Sequence, residues 1–119
     1  MKAGKLVMLC FQARNDAHVF HLQSRSYSQH MALNTFYDEV IDLIDDYAET
    51  FQGKYGLIAE YPETKIKAST AVELIQGFVD WIAENRNDCY APVDMDLSSQ
   101  IDLIAALGHR TIYKLRNLR

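Results

Sequence analysis

Residues 28–53 read SQHMALNTFYDEVIDLIDDYAETFQG, and this stretch decides the fold. Its apolar residues recur three and four positions apart, the spacing that places side chains on one face of an α-helix. They are Leu33, Phe36, Tyr37, Val40, Ile44, Tyr47, Ala48 and Phe51. Ser28 precedes the pattern as a helix N-cap, and Gly53 follows it as a left-handed C-terminal residue. The pattern therefore predicts a long helix over about 29–52.

The same stretch is strongly acidic. No Lys or Arg occurs between Arg25 and Lys54, whereas six carboxylates do: Asp38, Glu39, Asp42, Asp45, Asp46 and Glu49. Four of these acids, at positions 38, 42, 45 and 49, fall on one stripe of the helix. Like charges at such spacings repel each other by roughly a few tenths of a kcal/mol per exposed pair. A metal ion, a basic partner or hydration would offset this repulsion.

Three further segments show helical spacing of apolar residues and complete the predicted architecture. Thr70 and Glu73 form a capping box at the start of one of them. Residues 54–69 contain turn-forming residues and predict an irregular connection between the second and third helices. The additional helices are expected over about 3–24, 70–86 and 96–117. The sequence thus predicts an all-α protein, an antiparallel four-helix bundle formed by a single domain over residues 1–119.

Composition limits the classes of partner. The chain has 119 residues, 49% of them apolar, and a formal net charge of −4. A negative protein of this kind is not expected to bind nucleic acid through bulk electrostatics. No apolar run approaches the roughly 18 residues of a membrane span, so we expect no membrane partner. Cys10 and Cys89 lack metal-binding or disulfide-framework spacing, which fits a reducing compartment and a cytoplasmic protein.

The C-terminal stretch is basic and contains no acid: His109, Arg110, Lys114, Arg116 and Arg119. Cations at the end of a helix interact favourably with its dipole, and this is the simpler interpretation. The alternative is that these residues contact phosphate or the acidic stripe of a neighbouring molecule. Binding to nucleic acid through them would have to depend steeply on salt.

Histidines and carboxylates on the first two predicted helices are candidates for metal binding: His18, His21, His30, Asp38, Asp42, Asp45 and Glu49. Imidazole combined with carboxylate suits iron, manganese or zinc. Di-iron bundles carry a Glu-x-x-His motif on two helices, and this chain has none, which argues against an internal di-iron centre. Partly buried structural histidines and a solvated acidic face remain the alternative interpretation.

A family resemblance follows from three motifs: His21-Leu22-Gln23, Ser26-Tyr27-Ser28-Gln29-His30, and Asp45-x-x-x-Glu49 with Gly53 after it. Together they resemble the first helix pair of the Dps-like branch of the ferritin superfamily, over about residues 15–56. The resemblance implies a homo-oligomer that binds iron or another divalent metal at a subunit interface. His21 or His18 and His30 would bind from one subunit, and Asp45 and Glu49 from its neighbour. The implied activity is ferroxidase-like, serving iron oxidation, storage or protection.

The chain departs from this family at the residue one turn after His30. The family has an acid there, and this chain has Asn34; Asp38 could replace it only if the geometry shifts by a further turn. Short phage-encoded Dps-like proteins of uncertain role resemble the chain more closely, through Ser-Tyr-x-x-His and an acidic helix ending in residues 52–56. Membership of that group would place the protein in the host cytoplasm.

Two functions from different classes follow. The first is a ferritin-like metal protein with the ligands named above. The second is a non-enzymatic binding module that kept the bundle and lost the metal site. Its acidic helix would engage a basic protein surface or mimic the charge of nucleic acid.

Overall fold

The computed structural model describes residues 1–118 and contains four long helices. No strand occurs within that part of the chain. The helices are α1 (Ala3–Gln23), α2 (Tyr27–Tyr55), α3 (Ala71–Asn85) and α4 (Met95–Asn117), with a short 3₁₀ turn at Arg86–Asp88. The predicted all-α fold is confirmed. None of the described helices has both the length and the apolar content that a membrane crossing requires.

The four helices form an antiparallel bundle with one long crossover. The segment between α2 and α3, residues 56–70, runs back along α1 from one end of the bundle to the other. Near its beginning the Glu60 carbonyl lies against Gly4, and further along the Thr64 amide donates to Gln12 Oε1 (2.9 Å). The crossover returns the chain to the end of the bundle where α2 began, so α3 runs parallel to α2 and antiparallel to α1. Within the bundle, α1 contacts α2 and α3, and α4 contacts the same two helices. Each of these contacts joins antiparallel neighbours.

The length of α2 sets the length of the molecule. The bundle measures 44 × 24 × 22 Å. At about 1.5 Å per residue, the 29 residues of α2 span roughly 43 Å. A surface on the outer side of α2 therefore runs along the entire long axis of the protein.

The core contains the apolar face of α2 that the sequence indicates. Leu33, Phe36, Val40, Ile44 and Tyr47 are completely buried, and the Phe36 ring meets Phe78 of α3 edge to face at 5.2 Å. The Tyr47 hydroxyl is satisfied there, because it donates to the main-chain carbonyl of Cys89 (2.7 Å). A large aromatic side chain can thus occupy the core without leaving a polar group unpaired.

Both ends of α2 differ from the prediction. Its N-cap is Ser26, whose hydroxyl accepts from the Gln29 amide; Ser28 instead donates to the Leu118 carbonyl (3.0 Å). At the other end the helix continues through Gly53 to Tyr55, and Gly56 takes the positive φ of 90°. Contacts of the residues after Gly53 explain the extension. Tertiary bonds hold the added turn in helical conformation, although local propensity would end the helix at Gly53.

The last turn of α2 is fixed by a buried carboxylate. Asp94 precedes α4 and is only 3% exposed. It accepts from the Tyr55 hydroxyl (2.5 Å) and the Ala91 amide (2.9 Å), and it pairs with Lys54 (3.5 Å). The Tyr55 hydrogen bond, followed by that of Ala91, lowers the pKa of the Asp94 carboxyl below its ordinary value. Asp94 therefore stays ionised and ties α2 to the start of α4.

The remaining helices begin and end within about a residue of the predicted bounds. The capping box of α3 is confirmed, because Thr70 accepts from the Glu73 amide and Glu73 accepts from the Thr70 amide. Gly108 lies inside α4, where a Cβ would collide with Val79 of α3. The glycine therefore allows α3 and α4 to pack closely.

Both cysteines lie in the core. Cys10 and Cys89 are free and buried. Burial raises the pKa of the Cys10 thiol far above its ordinary value, and it raises that of Cys89 to about 12. Both groups remain thiols at neutral pH and act as small apolar side chains.

Candidate functional site

Two histidines meet where α1 turns into α2. The His21 and His30 rings stack with their centroids 3.5 Å apart and their planes at 20°. Nδ1 of His21 lies 2.7 Å from the His30 carbonyl oxygen, and Nδ1 of His30 lies 2.9 Å from the His21 carbonyl oxygen. A carbonyl oxygen only accepts, so both Nδ1 atoms carry hydrogen and donate. In the neutral form of either ring, the lone pair is therefore on Nε2.

These hydrogen bonds also complete the end of α1. The His21 carbonyl lies in the last turn of α1, where carbonyls lack donors from within the helix, and it accepts from the Ser24 amide at 3.4 Å. His30 also reaches it from the first turn of α2, and the buried His21 ring stacks on the His30 ring. The pair thus holds the α1–α2 hairpin together without any ligand.

A second group of side chains continues from this pair along the outside of α2. The His18 ring stacks on Tyr37 at 4.1 Å. The Tyr37 hydroxyl donates to Asn34 Oδ1 (2.6 Å), and Asn34 Nδ2 donates to Asp38 Oδ2 (3.0 Å). Asn34 uses both ends of its amide here, which an aspartate could not do because it has no N–H donor.

The predicted metal ligands are brought together only in part. His18, His21 and His30 are neighbours, with His18 and His21 at 5.7 Å between ring centroids. Asp45 lies about 22 Å further along α2 from His30, by the helical rise. Glu49 is one turn beyond Asp45. Within residues 1–118, no group of three or more His, Cys, Asp or Glu side chains is placed to hold a metal ion.

The stacking of His21 on His30 restricts what the pair can bind. An ion bound in line with a histidine lone pair lies in the plane of that ring, about 2.0–2.1 Å from the nitrogen for zinc. The ring centroids are 3.5 Å apart and the ring planes are inclined by only 20°, so the in-plane lone pairs of the two rings do not converge on one point at that distance. In this conformation one of the two rings, not both, could coordinate a given ion.

The carboxylates of α2 form an exposed surface on the same helix, which we call the acidic face. It consists of Asp38, Asp42, Asp45, Asp46 and Glu49, all exposed. Among the described residues none of the five makes an ion pair, whereas the sixth acid, Glu39, lies 3.7 Å from Arg110 of α4. Over residues 1–118, the face therefore carries five negative charges that no cation pairs with.

A groove that the sequence did not reveal lies beside the acidic face, between α2 and α4. Leu43 and Leu103 form its apolar walls, and Glu39, Asp42 and Arg110 form its charged ones, around a volume of about 350 Å³. Leu103 is 56% exposed, although the neighbouring Ile101 and Ile104 are fully buried. Its position outside the buried register of α4 is the one sequence signal that could have identified it.

The C-terminal cations take up separate positions. Arg110 faces Glu39, and Arg116 donates to the Gln76 amide oxygen at 3.3 Å. Arg119, which completed the predicted basic stretch, lies outside the described residues. Arg110 and Arg116 thus contact different helices, α2 and α3.

Comparison with known proteins connects the chain to a family without an established function. A model of DUF5856, a family of unknown function, matches residues 21–115. An uncharacterized 14.6 kDa protein from the mobD-ri intergenic region of Enterobacteria phage T4 is 27% identical over 114 residues, which cover 96% of this chain and 88% of the phage protein. No solved structure matches. The expected similarity to a phage protein is found, whereas these matches do not connect the chain with the ferritin superfamily. The chain belongs to the DUF5856 family.

Proposed function

We propose that this protein is a non-enzymatic binding module whose acidic face engages a basic surface of another protein. The observation that carries the proposal is the set of five exposed carboxylates on α2 without an ion-pair partner among the described residues. On α4, by contrast, both acids lie against cations: Asp96 with Lys54 at 3.1 Å and Asp102 with Arg86 at 2.7 Å. A face of α2 whose five charges find no cation among residues 1–118 is suited to a partner that supplies the opposite charges.

The dimensions of the acidic face indicate the partner. From position 38 to position 49 it extends about 16 Å, or three helical turns. Five charges over that length give about one per 3–4 Å, close to the 3.4 Å per charge of one DNA strand. A basic protein surface that binds nucleic acid would meet a similar charge density here. Exposed ion pairs contribute only about 0–1 kcal/mol each, so the main effect is on the association rate and on specificity.

A calorimetric titration tests this proposal. The probe is a helical peptide of alternating Lys and Ala blocks, titrated at low and at physiological salt. The variant Asp38→Asn/Asp42→Asn/Asp45→Asn should lose binding, and binding to the unmodified protein should weaken steeply with salt.

The control removes the same net charge elsewhere, through Glu63→Gln/Asp80→Asn/Glu84→Gln. It should bind the peptide like the unmodified protein. Equal loss in both triple variants would mean that only net charge matters. That result, or an unmodified protein that does not bind the peptide, would refute a role for the acidic face.

As a second candidate we infer a divalent-metal site at a subunit interface, with iron as the first metal to test. Its support is the Nδ1–H donation of His21 and His30 to main-chain carbonyls, which leaves Nε2 available, as in many metal-binding histidines. The single long crossover is also the connection found in ferritin-like bundles. Because the His21 and His30 rings stack, one of the two would bind a given ion. His18 and Asp38 would extend the site on the same subunit. Asp45 and Glu49 would come from a neighbouring copy.

Metal titration with light scattering separates this candidate from the first. Fe(II) or Zn(II) should bind at neutral pH, and the protein should self-associate, because the ligands are otherwise about 22 Å apart along α2. His30→Gln should reduce uptake, whereas His109→Gln, a surface histidine on α4, should not. A monomer that takes up neither metal would remove the candidate.

A further inference from the structure

We propose that the groove between α2 and α4 seats the apolar row of a basic amphipathic helix from a partner protein. This inference rests on the proposed function, because the cations of that helix would contact the acidic face. The juxtaposition that carries it is a groove with Leu43 and Leu103 as its apolar walls, beside Asp42 and the rest of the acidic face, which form no ion pair among the described residues.

The apolar part of the groove is open to solvent in the isolated chain. Leu103 exposes 56% of its surface, and Leu43 faces it across the groove from a half-buried position on α2. Covering these side chains with apolar atoms of a partner removes them from water, which is favourable. A row of apolar side chains with helical spacing fits a groove that runs between two antiparallel helices.

The charges around the groove differ between its α2 side and its α4 side. This difference determines which side of a bound helix carries the cations. Asp42 belongs both to the groove and to the acidic face, and Asp46 lies one turn further along the same edge. On the α4 side the charged group of the groove is Arg110, which Glu39 holds at 3.7 Å. Cations of a bound helix would therefore lie over the α2 edge, and its neutral side would face α4.

Complementary charge also selects a partner protein over a second copy of this chain. The chain has a net charge of −4, so two copies repel each other on average. The acidic face extends over about three turns, which matches a partner helix with apolar residues at positions i, i+3 or i+4, and i+7. Such a helix would present its flanking lysines or arginines to the aspartates along α2.

The experiment uses three synthetic peptides of roughly 14 residues, about four helical turns. The first has a leucine row flanked by lysines, the second has the same composition in scrambled order, and the third replaces the leucines with alanine. Each is titrated into protein carrying labelled leucine methyl groups, and binding is followed by NMR. The amphipathic peptide should bind about tenfold tighter than the other two and should shift the methyl signals of Leu43 and Leu103.

Two sets of variants distinguish the groove from the acidic face. Leu103→Gln and Asp42→Asn/Asp46→Asn should each weaken the amphipathic peptide about tenfold. Leu57→Gln changes a leucine that is 87% exposed elsewhere on the bundle and should have no effect. If Leu103→Gln binds the amphipathic peptide normally while the aspartate variant does not, the groove proposal is refuted and the proposed role of the acidic face is retained.

The remaining outcomes are equally decisive. Methyl shifts centred away from Leu43 and Leu103, or equal affinity for ordered and scrambled peptides, would overturn the groove as a docking site. Sedimentation showing a dimer that Leu103→Gln dissociates would assign the groove to a second copy instead. Loss of binding to all basic peptides would overturn both the groove and the proposed function.

Discussion

Replacing Asp42 with asparagine should stabilise the isolated protein. Four other acids are three or four residues from Asp42, and each is therefore about one helical turn away: Asp38, Glu39, Asp45 and Asp46. All of these side chains are exposed. No cation pairs with Asp42 among the described residues, whereas Glu39 has Arg110 at 3.7 Å. Three repulsive pairs therefore remain without compensation.

The size of the effect follows from these three pairs. Each like-charge pair at such a spacing costs about 0.2–0.5 kcal/mol, so removing the Asp42 charge should raise the free energy of unfolding by about 1 kcal/mol. Aspartate and asparagine have similar helix propensities, so the substitution itself adds little. For a chain of 119 residues, about 1 kcal/mol corresponds to a Tm increase of roughly 4 °C. The Debye length falls from about 30 Å at 0.01 M salt to about 3 Å at 1 M, which should remove most of the gain.

Thermal unfolding followed by circular dichroism at those two salt concentrations measures the effect. Asp80→Asn on α3 is the matched control, because it makes the same chemical change where one acid, Glu84, lies a turn away. It should give about a third of the Asp42→Asn gain at low salt. A gain that persists at 1 M salt would refute the electrostatic explanation. A lower Tm for Asp42→Asn would show that Asp42 has a counter-charge in solution, supplied by another copy or by an ion.

Three further substitutions test contacts that hold the bundle together. Gly4→Ala would ordinarily favour a helix by about 1 kcal/mol, but the added Cβ would collide with the Glu60 carbonyl. Unfolding in urea should therefore show that the free energy of unfolding falls by at least about 1 kcal/mol. Tyr47→Phe should lower the free energy of unfolding in urea by about 1–3 kcal/mol, because it leaves a buried main-chain carbonyl without its donor. Asp94→Asn should reduce the loss of stability on acidification. The Tyr55 hydrogen bond lowers the pKa of Asp94 in the folded state. This stabilisation is therefore present above the ordinary carboxyl range and disappears as the pH falls through the lowered value, which an acid titration followed by circular dichroism should detect.

The helices could be predicted from the sequence because their signals are local. The apolar period of α2 identified Phe36, Val40 and Ile44 as core residues, and all three are fully buried. The end of α2 could not be predicted, because Gly53 and Gly56 are equally suitable as terminating residues by local rules. The choice between them depends on the bond from the last turn to Asp94, which is distant in sequence.

The candidate site was predictable to the same limited extent. A tight turn between two helices necessarily brings His21 and His30 close together, and they are in contact. Their mutual bonds to carbonyl oxygens depend on ring orientation, which residue spacing does not specify. The groove was missed because Leu43 and Leu103 meet only through the packing of α2 on α4. In each case the missing information lies in contacts between helices.

A role in binding a partner explains the carboxylates of the acidic face better than a role in stabilising the bundle does. Elsewhere in the bundle charged groups hold helices together: Arg86 pairs with Asp102 at 2.7 Å, and Lys54 pairs with Asp94 and with Asp96 at 3.5 and 3.1 Å. The five carboxylates of the acidic face form no such bridge among the described residues, and their mutual repulsion lowers the stability of α2 at low salt. Their side chains make no contribution to the core, because all are exposed. A cost to folding without a benefit to packing is expected where a surface serves a partner, since the opposite charges of that partner would turn the repulsion into attraction.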